Sequence, residues 1–365
     1  MDNEAQALPK LVLRGAPKEI GLQHGFQLQQ QIKSQMRIYE EMFEYTTKMN
    51  WQAVLQLAEE FRASLERSTP DLYLEMQGIA EGAGVDILDI VALNCRSEIS
   101  FGSFSDGCTS LSWKKNDNAR ILAQNWDWTT LVRGNLALVD IELPGKPRIY
   151  MITEAGILGK IGFNSAGVGT CLNAIKARPC VNSKLPIHVA LRLCLESTSV
   201  KSALRTIASL GGVASSQHIL IADSTISLGL ELSPLGDVQL EEDEYGMILH
   251  TNHFIDNHNV TEPSWIKGSP ARLERARQLC RELATSGIEG DSITPSLLRE
   301  KIFSDTCNAP HSICSLEDPT QHRTRRTSTL FNIVMNLDKQ NPGAELVIGQ
   351  PGSSKVSPVL KMPWA

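Results

Sequence analysis

The sequence predicts an α+β fold in which helices cover two stacked sheets, giving four layers in the order helix, sheet, sheet and helix. The first hundred residues carry helical periodicity, and the pattern changes at Cys108 to short apolar and β-branched runs. Most of those runs follow one another without an intervening helix. Strands in direct succession favour stacked sheets over a doubly wound fold, in which strands and helices alternate. We therefore expect one domain that spans residues 1–365.

Helical spacing of apolar residues recurs in two parts of the chain. Ile32, Met36 and Tyr39 follow one another at intervals of four and three residues, which places them on one helix face. Thr69 followed by Pro70 has the pattern of a helix cap and a proline at the first helical position. The predicted helices cover residues 32–43, 54–65, 70–82, 87–93, 186–197, 200–209, 271–283 and 296–303.

Short apolar and β-branched runs, separated by turn residues such as Asn118, Gly134 and Gly145, predict the strands. The stretch 156–169 contains five glycines and predicts turns rather than a strand. The predicted strands cover residues 11–13, 109–113, 120–124, 136–141, 148–153, 218–222, 227–232, 238–240, 247–251, 329–335 and 345–348.

Composition and charge exclude some classes of function. With 42% hydrophobic and 21% charged residues, the chain is typical of a globular enzyme or binding protein, and its formal net charge is −6. Nucleic-acid binding needs a concentrated basic surface, and the one basic cluster, residues 322–326, is short and typical of a solvated loop. We therefore expect no nucleic-acid partner.

Three sequence features bear on the compartment. No run of eighteen apolar residues predicts a membrane span, and the N-terminal residues lack the apolar segment of a secretory signal. The last three residues are not a peroxisomal tripeptide. The eight cysteines are scattered without a Cys-x-x-Cys pair, which predicts reduced thiols. We expect a cytoplasmic protein that does not act at a membrane.

The segment Asp106-Gly107-Cys108-Thr109-Ser110 carries the strongest candidate nucleophile. If the peptide bond before Cys108 breaks, this residue carries both a thiol and an α-amine of pKa about 7.7–8.0, which can act as base to the thiol. Gly107 permits the strained or left-handed backbone that an N-to-S acyl shift needs, and Ser110 or Thr109 can polarise the carbonyl. A buried structural cysteine at the start of a strand is the alternative interpretation.

Segments spread along the chain, from about residue 11 to 350, occur in one order that is typical of a known family. They are residues 19–25, 94–98, 106–109, 124–127, 152–167, 188–199, 229–234, 250–253 and 329–332. The chain resembles the acyl-coenzyme A:isopenicillin N (6-aminopenicillanic acid) acyltransferase family of N-terminal-nucleophile (Ntn) hydrolases, which acts in penicillin biosynthesis. The resemblance implies an αββα sandwich and self-cleavage into fragments 1–107 and 108–365 that stay together as a heterodimer.

The resemblance also implies the chemistry. A thioester on Cys108 would carry an acyl group from acyl-CoA, as co-substrate and with no cofactor or metal, to an amine such as 6-aminopenicillanic acid. Asp127 matches a carboxylate that orients the Cys108 amine, and Asn252 matches an amide that donates into an oxyanion hole. Arg326 matches an arginine whose charge lowers the pKa of the thiol. The alternatives are a turn residue at Asp127 and a solvated arginine at Arg326.

Other positions bear on the substrate. Ser233 matches a family serine linked to activity, although serine before proline is also typical of a turn. His218 lies where the family has an aromatic residue in the substrate side-chain pocket. Ser315 stands where arginine is expected and Arg325 where serine is expected, so an arginine that pairs with a substrate carboxylate is missing. These departures predict a paralogue of the penicillin enzyme with altered acceptor selection.

Three further hypotheses remain at this point. The same nucleophile with water as acceptor would make an amidase acting on N-acyl or β-alanyl amides. An uncleaved binding protein would keep the fold without catalysis. A zinc hydrolase would use His250, His253 and a cysteine, but two histidines three apart on a strand point to opposite faces and lack a nearby third ligand.

Overall fold

Two β-sheets form the centre of the protein in the computed structural model, which describes residues 8–100, 107–263, 268–288, 290–352 and 358–364. Asp106, the first residue of the predicted cleavage motif, lies outside the described residues. One sheet has eight strands in the order β1-β4-β5-β6-β7-β8-β9-β10, and the other has six in the order β11-β2-β3-β12-β13-β14. The pairing of β1 with β4 is parallel, and the other pairings within these sheets are antiparallel.

The strands of both sheets have the following bounds. They are β1 (Lys10–Arg14), β2 (Gly107–Asn116), β3 (Ala119–Thr129), β4 (Leu136–Glu142), β5 (Ile149–Glu154), β6 (Ile161–Asn164), β7 (Gly169–Ala174), β8 (Gln217–Ala222), β9 (Ser227–Leu232), β10 (Val238–Leu240), β11 (Met247–His250), β12 (Thr327–Asp338), β13 (Gly343–Ile348) and β14 (Val359–Met362).

The helices lie mostly before β2 and after β7. They are α1 (Pro17–Gln27), α2 (Gln29–Thr47), α3 (Trp51–Ser68), α4 (Pro70–Ala83), α5 (Ile87–Asn94), α6 (Arg96–Ile99), α7 (Ile187–Leu195), α8 (Val200–Ser209), α9 (Ser269–Thr285) and α10 (Pro295–Leu298). None of these helices is both long enough and apolar enough to cross a membrane.

The strand that begins at the predicted cleavage site shows how the layers stack. Cys108 and its β3 neighbour Trp126 belong to a central apolar cluster that contains residues of both sheets. Leu111 and Ala123 face the opposite way and pack with Leu273 of α9. On the far side of the eight-stranded sheet, α7 and α8 pack against its strands in a separate cluster. The predicted order of helix, sheet, sheet and helix is therefore confirmed.

The structure differs from the sequence prediction in the glycine-rich stretch. Residues 156–169 predicted turns, yet β6 begins at Ile161 and β7 at Gly169. At Gly162 an added Cβ would lie only 2.2 Å from the Tyr150 carbonyl oxygen on β5, so this glycine permits close strand contact. The predicted helix 296–303 is divided into α10 and a π-helical turn, Arg299–Phe303.

Candidate active site at the start of β2

Cys108 is the second residue of β2 and is buried between the two sheets. Side chains hold both of its backbone polar groups. Its N–H donates to Asn252 Oδ1 at 2.7 Å, and its carbonyl oxygen accepts from Arg272 Nη1 at 2.6 Å. The peptide unit on either side of Cys108 is therefore fixed by residues that are far away in sequence.

Asn252 follows β11 and connects the two sheets at the nucleophile. Its Oδ1 accepts from the Cys108 N–H and from Arg272 Nη2 at 2.8 Å, while its Nδ2 donates to the Ala174 carbonyl oxygen at 3.0 Å. The sequence predicted an amide that donates to an oxyanion. In this arrangement the Asn252 amide oxygen faces Cys108, and the amide nitrogen already donates a hydrogen bond to the Ala174 carbonyl oxygen. Donation from this nitrogen to an oxyanion therefore stays a prediction.

Arg272 is the site residue that sequence reasoning missed. It lies in the first turn of α9, is buried, and also donates to Thr109 Oγ1 at 3.1 Å. The available signal was its position, because it precedes Ala276 and Cys280 at helical spacing on the buried face of α9. A charge on an apolar helix face needs a specific partner, and here the partners are Cys108, Thr109 and Asn252.

Arg326 was predicted to place a positive charge beside the thiol, and the structure gives its side chain other partners. Its Nε donates to the Gln321 carbonyl oxygen at 2.9 Å and its Nη2 to the Pro319 carbonyl oxygen at 3.0 Å. Its backbone oxygen accepts from the Thr130 N–H at 3.2 Å. The guanidinium therefore holds the loop before β12, whereas the Cys108 backbone is contacted by Arg272.

Asp127 lies at the predicted cleavage site. It is the β3 partner of Gly107, and its buried carboxylate accepts at Oδ1 from Thr329 Oγ1 at 2.6 Å. An added Cβ at Gly107 would lie 2.8 Å from Asp127 Oδ2, so the structure explains this glycine by the close approach of the carboxylate. The location is suited to binding an amine at Cys108, and that role stays a prediction.

Ser110 and His218 meet at one atom between the sheets. Ser110 Oγ donates to Asn173 Oδ1 at 2.7 Å, and His218 Nδ1 lies 2.9 Å from the same oxygen. The His218 ring stacks on the His250 ring with centroids 3.4 Å apart. The pKa of His218 lies well below its usual value, mainly because the ring is buried and to a lesser extent because of the charge of His250. His218 is thus a fully buried neutral group, and its predicted substrate contact stays untested.

Ser233 occupies the turn between β9 and β10. Its hydroxyl donates to the Gly236 carbonyl oxygen at 2.7 Å and accepts from the N–H groups of Leu235 and Gly236. These are the contacts of an ordinary serine turn, the alternative that the sequence left open.

A buried lysine contributes positive charge from the opposite sheet. Lys160 Nζ lies 3.8 Å from the centroid of the Trp126 ring and 2.5 Å from Glu154 Oε2. Burial is the main cause that lowers the Lys160 pKa, to about 8, against the raising effects of Glu154 and of Cys108. The Lys160 ammonium therefore lies within electrostatic reach of the Cys108 thiol, where a positive charge favours the thiolate.

The histidines of the zinc hypothesis have protein partners. His250 Nε2 lies 2.8 Å from Glu231 Oε1, and His253 Nδ1 lies 2.8 Å from Ser269 Oγ. Within the part of the chain that the structure describes, no group of three or more His, Cys, Asp or Glu residues is arranged to hold a metal ion.

The fold and the site define a layered α+β protein with a buried polar centre around Cys108. The family model described as acyl-coenzyme A:6-aminopenicillanic acid acyl-transferase matches residues 113–353. The chain is 36% identical over 342 residues to the acyl-coenzyme A:6-aminopenicillanic-acid-acyltransferase 40 kDa form of Emericella nidulans, covering 93% of this chain and 92% of that protein. The chain therefore belongs to the acyl-coenzyme A:6-aminopenicillanic acid acyl-transferase family and is an acyltransferase-type enzyme.

Two solved structures show lower likeness. An N-acylethanolamine-hydrolyzing acid amidase ortholog from Caenorhabditis elegans is 17% identical with a TM-score of 0.45, covering 64% of this chain and 94% of that chain. Penicillin V acylase from Agrobacterium tumefaciens is 15% identical with a TM-score of 0.46, covering 70% of this chain and 85% of that chain. Both likenesses are too low to add to the family assignment.

Proposed function

We propose that this chain is a self-cleaving cysteine acyltransferase that moves an acyl group from acyl-CoA to an amine such as 6-aminopenicillanic acid, either supplied free or released from isopenicillin N by hydrolysis of its side-chain amide. The family supports the classes of donor and acceptor. The observation that carries the mechanism is the position of Cys108, which is buried between the sheets with its N–H on Asn252 and its carbonyl on Arg272. Such rigid placement suits a nucleophile that must attack at a defined angle.

The first step of the proposal is cleavage before Cys108. The thiol adds to the Gly107 carbonyl carbon, the C–N bond to Cys108 breaks, and the leaving nitrogen takes the thiol proton. Water then hydrolyses the thioester, which leaves a carboxylate on Gly107 and a free amine and thiol on Cys108. Asp127, beside Gly107, and the Asn252 amide oxygen, 2.7 Å from the nitrogen, would hold the new amine.

The second step is acyl transfer. The Cys108 amine accepts the thiol proton, the thiolate adds to the acyl-CoA carbonyl, and the bond to the CoA sulfur breaks as CoA leaves with that proton. The acceptor amine then attacks the Cys108 thioester, forms the amide and returns a proton and an electron pair to the thiol. The positive charge of Lys160 favours the Cys108 thiolate, and Arg272 fixes the Cys108 backbone by donating to its carbonyl oxygen.

The fragments 1–107 and 108–365 would remain one domain after cleavage. Glu75 of α4 and Arg192 of α7 form a buried bidentate ion pair across the two segments, with N–O distances of 2.9 and 2.8 Å. Glu98 of α6 accepts from the Ile187 N–H at 3.0 Å and from Ser215 Oγ at 2.8 Å. Apolar residues of α1 to α5 also share the central cluster with both sheets, so separation would expose them to water.

The proposal predicts that purified protein, phenylacetyl-CoA and 6-aminopenicillanic acid yield an amide and free CoA. Mass spectrometry of the products measures the amide, and each substrate omitted in turn is the control. A medium-chain acyl-CoA is tested as a second donor. If the free acid forms from either donor and no amide appears at any acceptor concentration, the chain is a hydrolase of the amidase type. Failure to consume either thioester would contradict acyl-CoA as the donor.

A second prediction concerns Arg272. We expect Arg272→Lys to lower kcat by about 100-fold, because an ammonium cannot span the Cys108 carbonyl, Thr109 and Asn252 as the planar guanidinium does. The matched control is Arg275→Lys, since Arg275 lies on the same helix and pairs with Asp305 at 2.7 Å. Steady-state kinetics of acyl transfer compares the two variants, and equal rates would remove Arg272 from the mechanism.

A further inference from the structure

Glu231 is a fully buried carboxylate on β9 that no step above uses. Its two oxygens accept four hydrogen bonds. Oε1 accepts from His250 Nε2 at 2.8 Å and from the Ile255 N–H at 2.5 Å. Oε2 accepts from the Asp256 N–H at 3.0 Å and from the Asn257 N–H at 2.7 Å. All four donors belong to the single segment 250–257.

This segment is folded around the carboxylate and contains Asn252. His250 anchors it before Asn252, and three successive backbone N–H groups anchor it afterwards. Asn257 Nδ2 also donates to the Glu231 carbonyl oxygen at 2.8 Å. Glu231 therefore anchors the segment on both sides of Asn252, through four hydrogen bonds of which none goes to Asn252 or Cys108.

Both ring nitrogens of His250 have an oxygen partner. Its Nδ1 lies 2.8 Å from the Thr251 carbonyl oxygen, and its Nε2 lies 2.8 Å from Glu231 Oε1. The ring therefore ties the start of the segment directly to the carboxylate. Burial raises the pKa of Glu231, but the hydrogen bond and charge of His250 and the backbone N–H groups outweigh it and hold the pKa below its usual value.

We infer that Glu231 is a positioning residue for acyl transfer, which acts through the His250 ring and the 255–257 backbone to hold the Asn252 amide against Cys108. The inference rests on the proposed role of Cys108 as the nucleophile. A carboxylate that only stabilised a loop would change the free energy of unfolding and leave kcat unchanged. The inference therefore requires a control that anchors a loop without holding a site residue.

Asp223 supplies that control. It lies between β8 and β9, and its carboxylate accepts from the N–H groups of Thr225 at 2.8 Å, Ile226 at 3.1 Å and Val200 at 2.9 Å. Like Glu231, it thus binds three backbone N–H groups. Asp223→Asn and Glu231→Gln therefore remove the same kind of contact, and only the second loosens the segment of Asn252.

The experiment compares these two variants in the full-length chain, with acyl-CoA and 6-aminopenicillanic acid as substrates. We expect Glu231→Gln to lower kcat by about 100-fold, the scale of a misplaced catalytic group, while KM for acyl-CoA stays within about threefold. Asp223→Asn should leave both constants within about threefold of the parent.

Equal kcat values for Glu231→Gln and Asp223→Asn would overturn the inference. If Glu231→Gln does not fold, Glu231→Asp provides the test, because it keeps the carboxylate charge but shortens the side chain by one methylene group. A kcat about tenfold lower at unchanged KM would then support the inference, and an unchanged kcat would refute it. If Cys108→Ala remains active, the proposed function fails instead, whatever the Glu231 variants do.

Discussion

Cys108→Ala is expected to yield a single band at the full mass of 40.2 kDa and no amide product. The wild-type chain should give two bands, with the longer fragment beginning at Cys108. The variant lacks the sulfur that, in the proposed mechanism, attacks the Gly107 carbonyl and later carries the acyl group, so turnover should fall by at least about a thousandfold. Denaturing gels with N-terminal sequencing measure the first effect, and CoA release measures the second.

The matched control is Cys194→Ala. Cys194 is equally buried, but it lies in α7 among apolar residues, and burial raises the pKa of its thiol to about 12. Such a thiol is inert, so its removal should cost some packing and leave cleavage and turnover intact. If the wild-type chain stays uncut and Cys108→Ala still turns over substrate, the proposed mechanism is wrong.

The regular elements were largely predictable because their apolar periods reflect burial on one face. The helix face of Ile32, Met36 and Tyr39 and the strand runs after Cys108 appear in the structure where the sequence indicated them. Strands β6 and β7 were missed because they contain glycines. In the structure these glycines allow close packing of the strands, but in the sequence closely spaced glycines are typical of turns. Strand β14 is a short edge strand, and its Val359 and Lys361 carry too weak a pattern to be recognised.

The candidate site was predictable only in part. Cys108, Asp127 and Asn252 were indicated by family resemblance, and the structure places Gly107 against Asp127 and Cys108 against Asn252. Arg272 and Glu231 were missed because their partners are distant in sequence: the helical spacing of α9 can indicate that Arg272 is buried, but no local pattern names the residues that either side chain contacts. Resemblance assigned a positive charge near the thiol to Arg326; its side chain donates to carbonyl oxygens of the loop before β12, and its effect on the thiol stays a prediction.

The second large effect is expected at Glu154, the last residue of β5. Its fully buried carboxylate accepts four hydrogen bonds. Oε1 accepts from Gln35 Nε2 and Tyr39 OH, both at 2.7 Å, and Oε2 accepts from Arg96 Nη2 at 2.6 Å and Lys160 Nζ at 2.5 Å. Three of these donors belong to the proposed fragment 1–107 and one to the proposed fragment 108–365. Glu154 is therefore a charged junction between the two fragments.

Glu154→Gln should destabilise the protein by about 3–5 kcal/mol, because it leaves the buried Arg96 and Lys160 charges without their carboxylate. Urea unfolding at fixed protein concentration measures the free energy of unfolding, and size-exclusion chromatography of the cleaved protein detects loss of fragment 1–107. The control is Glu142→Gln, whose ion pair with Arg14 also joins the two fragments but is more than half exposed. That variant should lose at most about 1 kcal/mol.

Acid titration separates the charge of Glu154 from its packing. Burial opposes ionisation, but the charges of Arg96 and Lys160 and the hydrogen bonds outweigh it and lower the Glu154 pKa to about 2, below its usual 4.5. Because the folded state holds this proton less tightly than the unfolded state, the stabilisation is complete above about pH 4.5 and is lost as pH falls towards 2. The stability difference between wild type and Glu154→Gln should therefore shrink as pH falls from about 4.5 towards 2. A difference that stays constant down to pH 2 would mean that shape, and not charge, makes this junction stable.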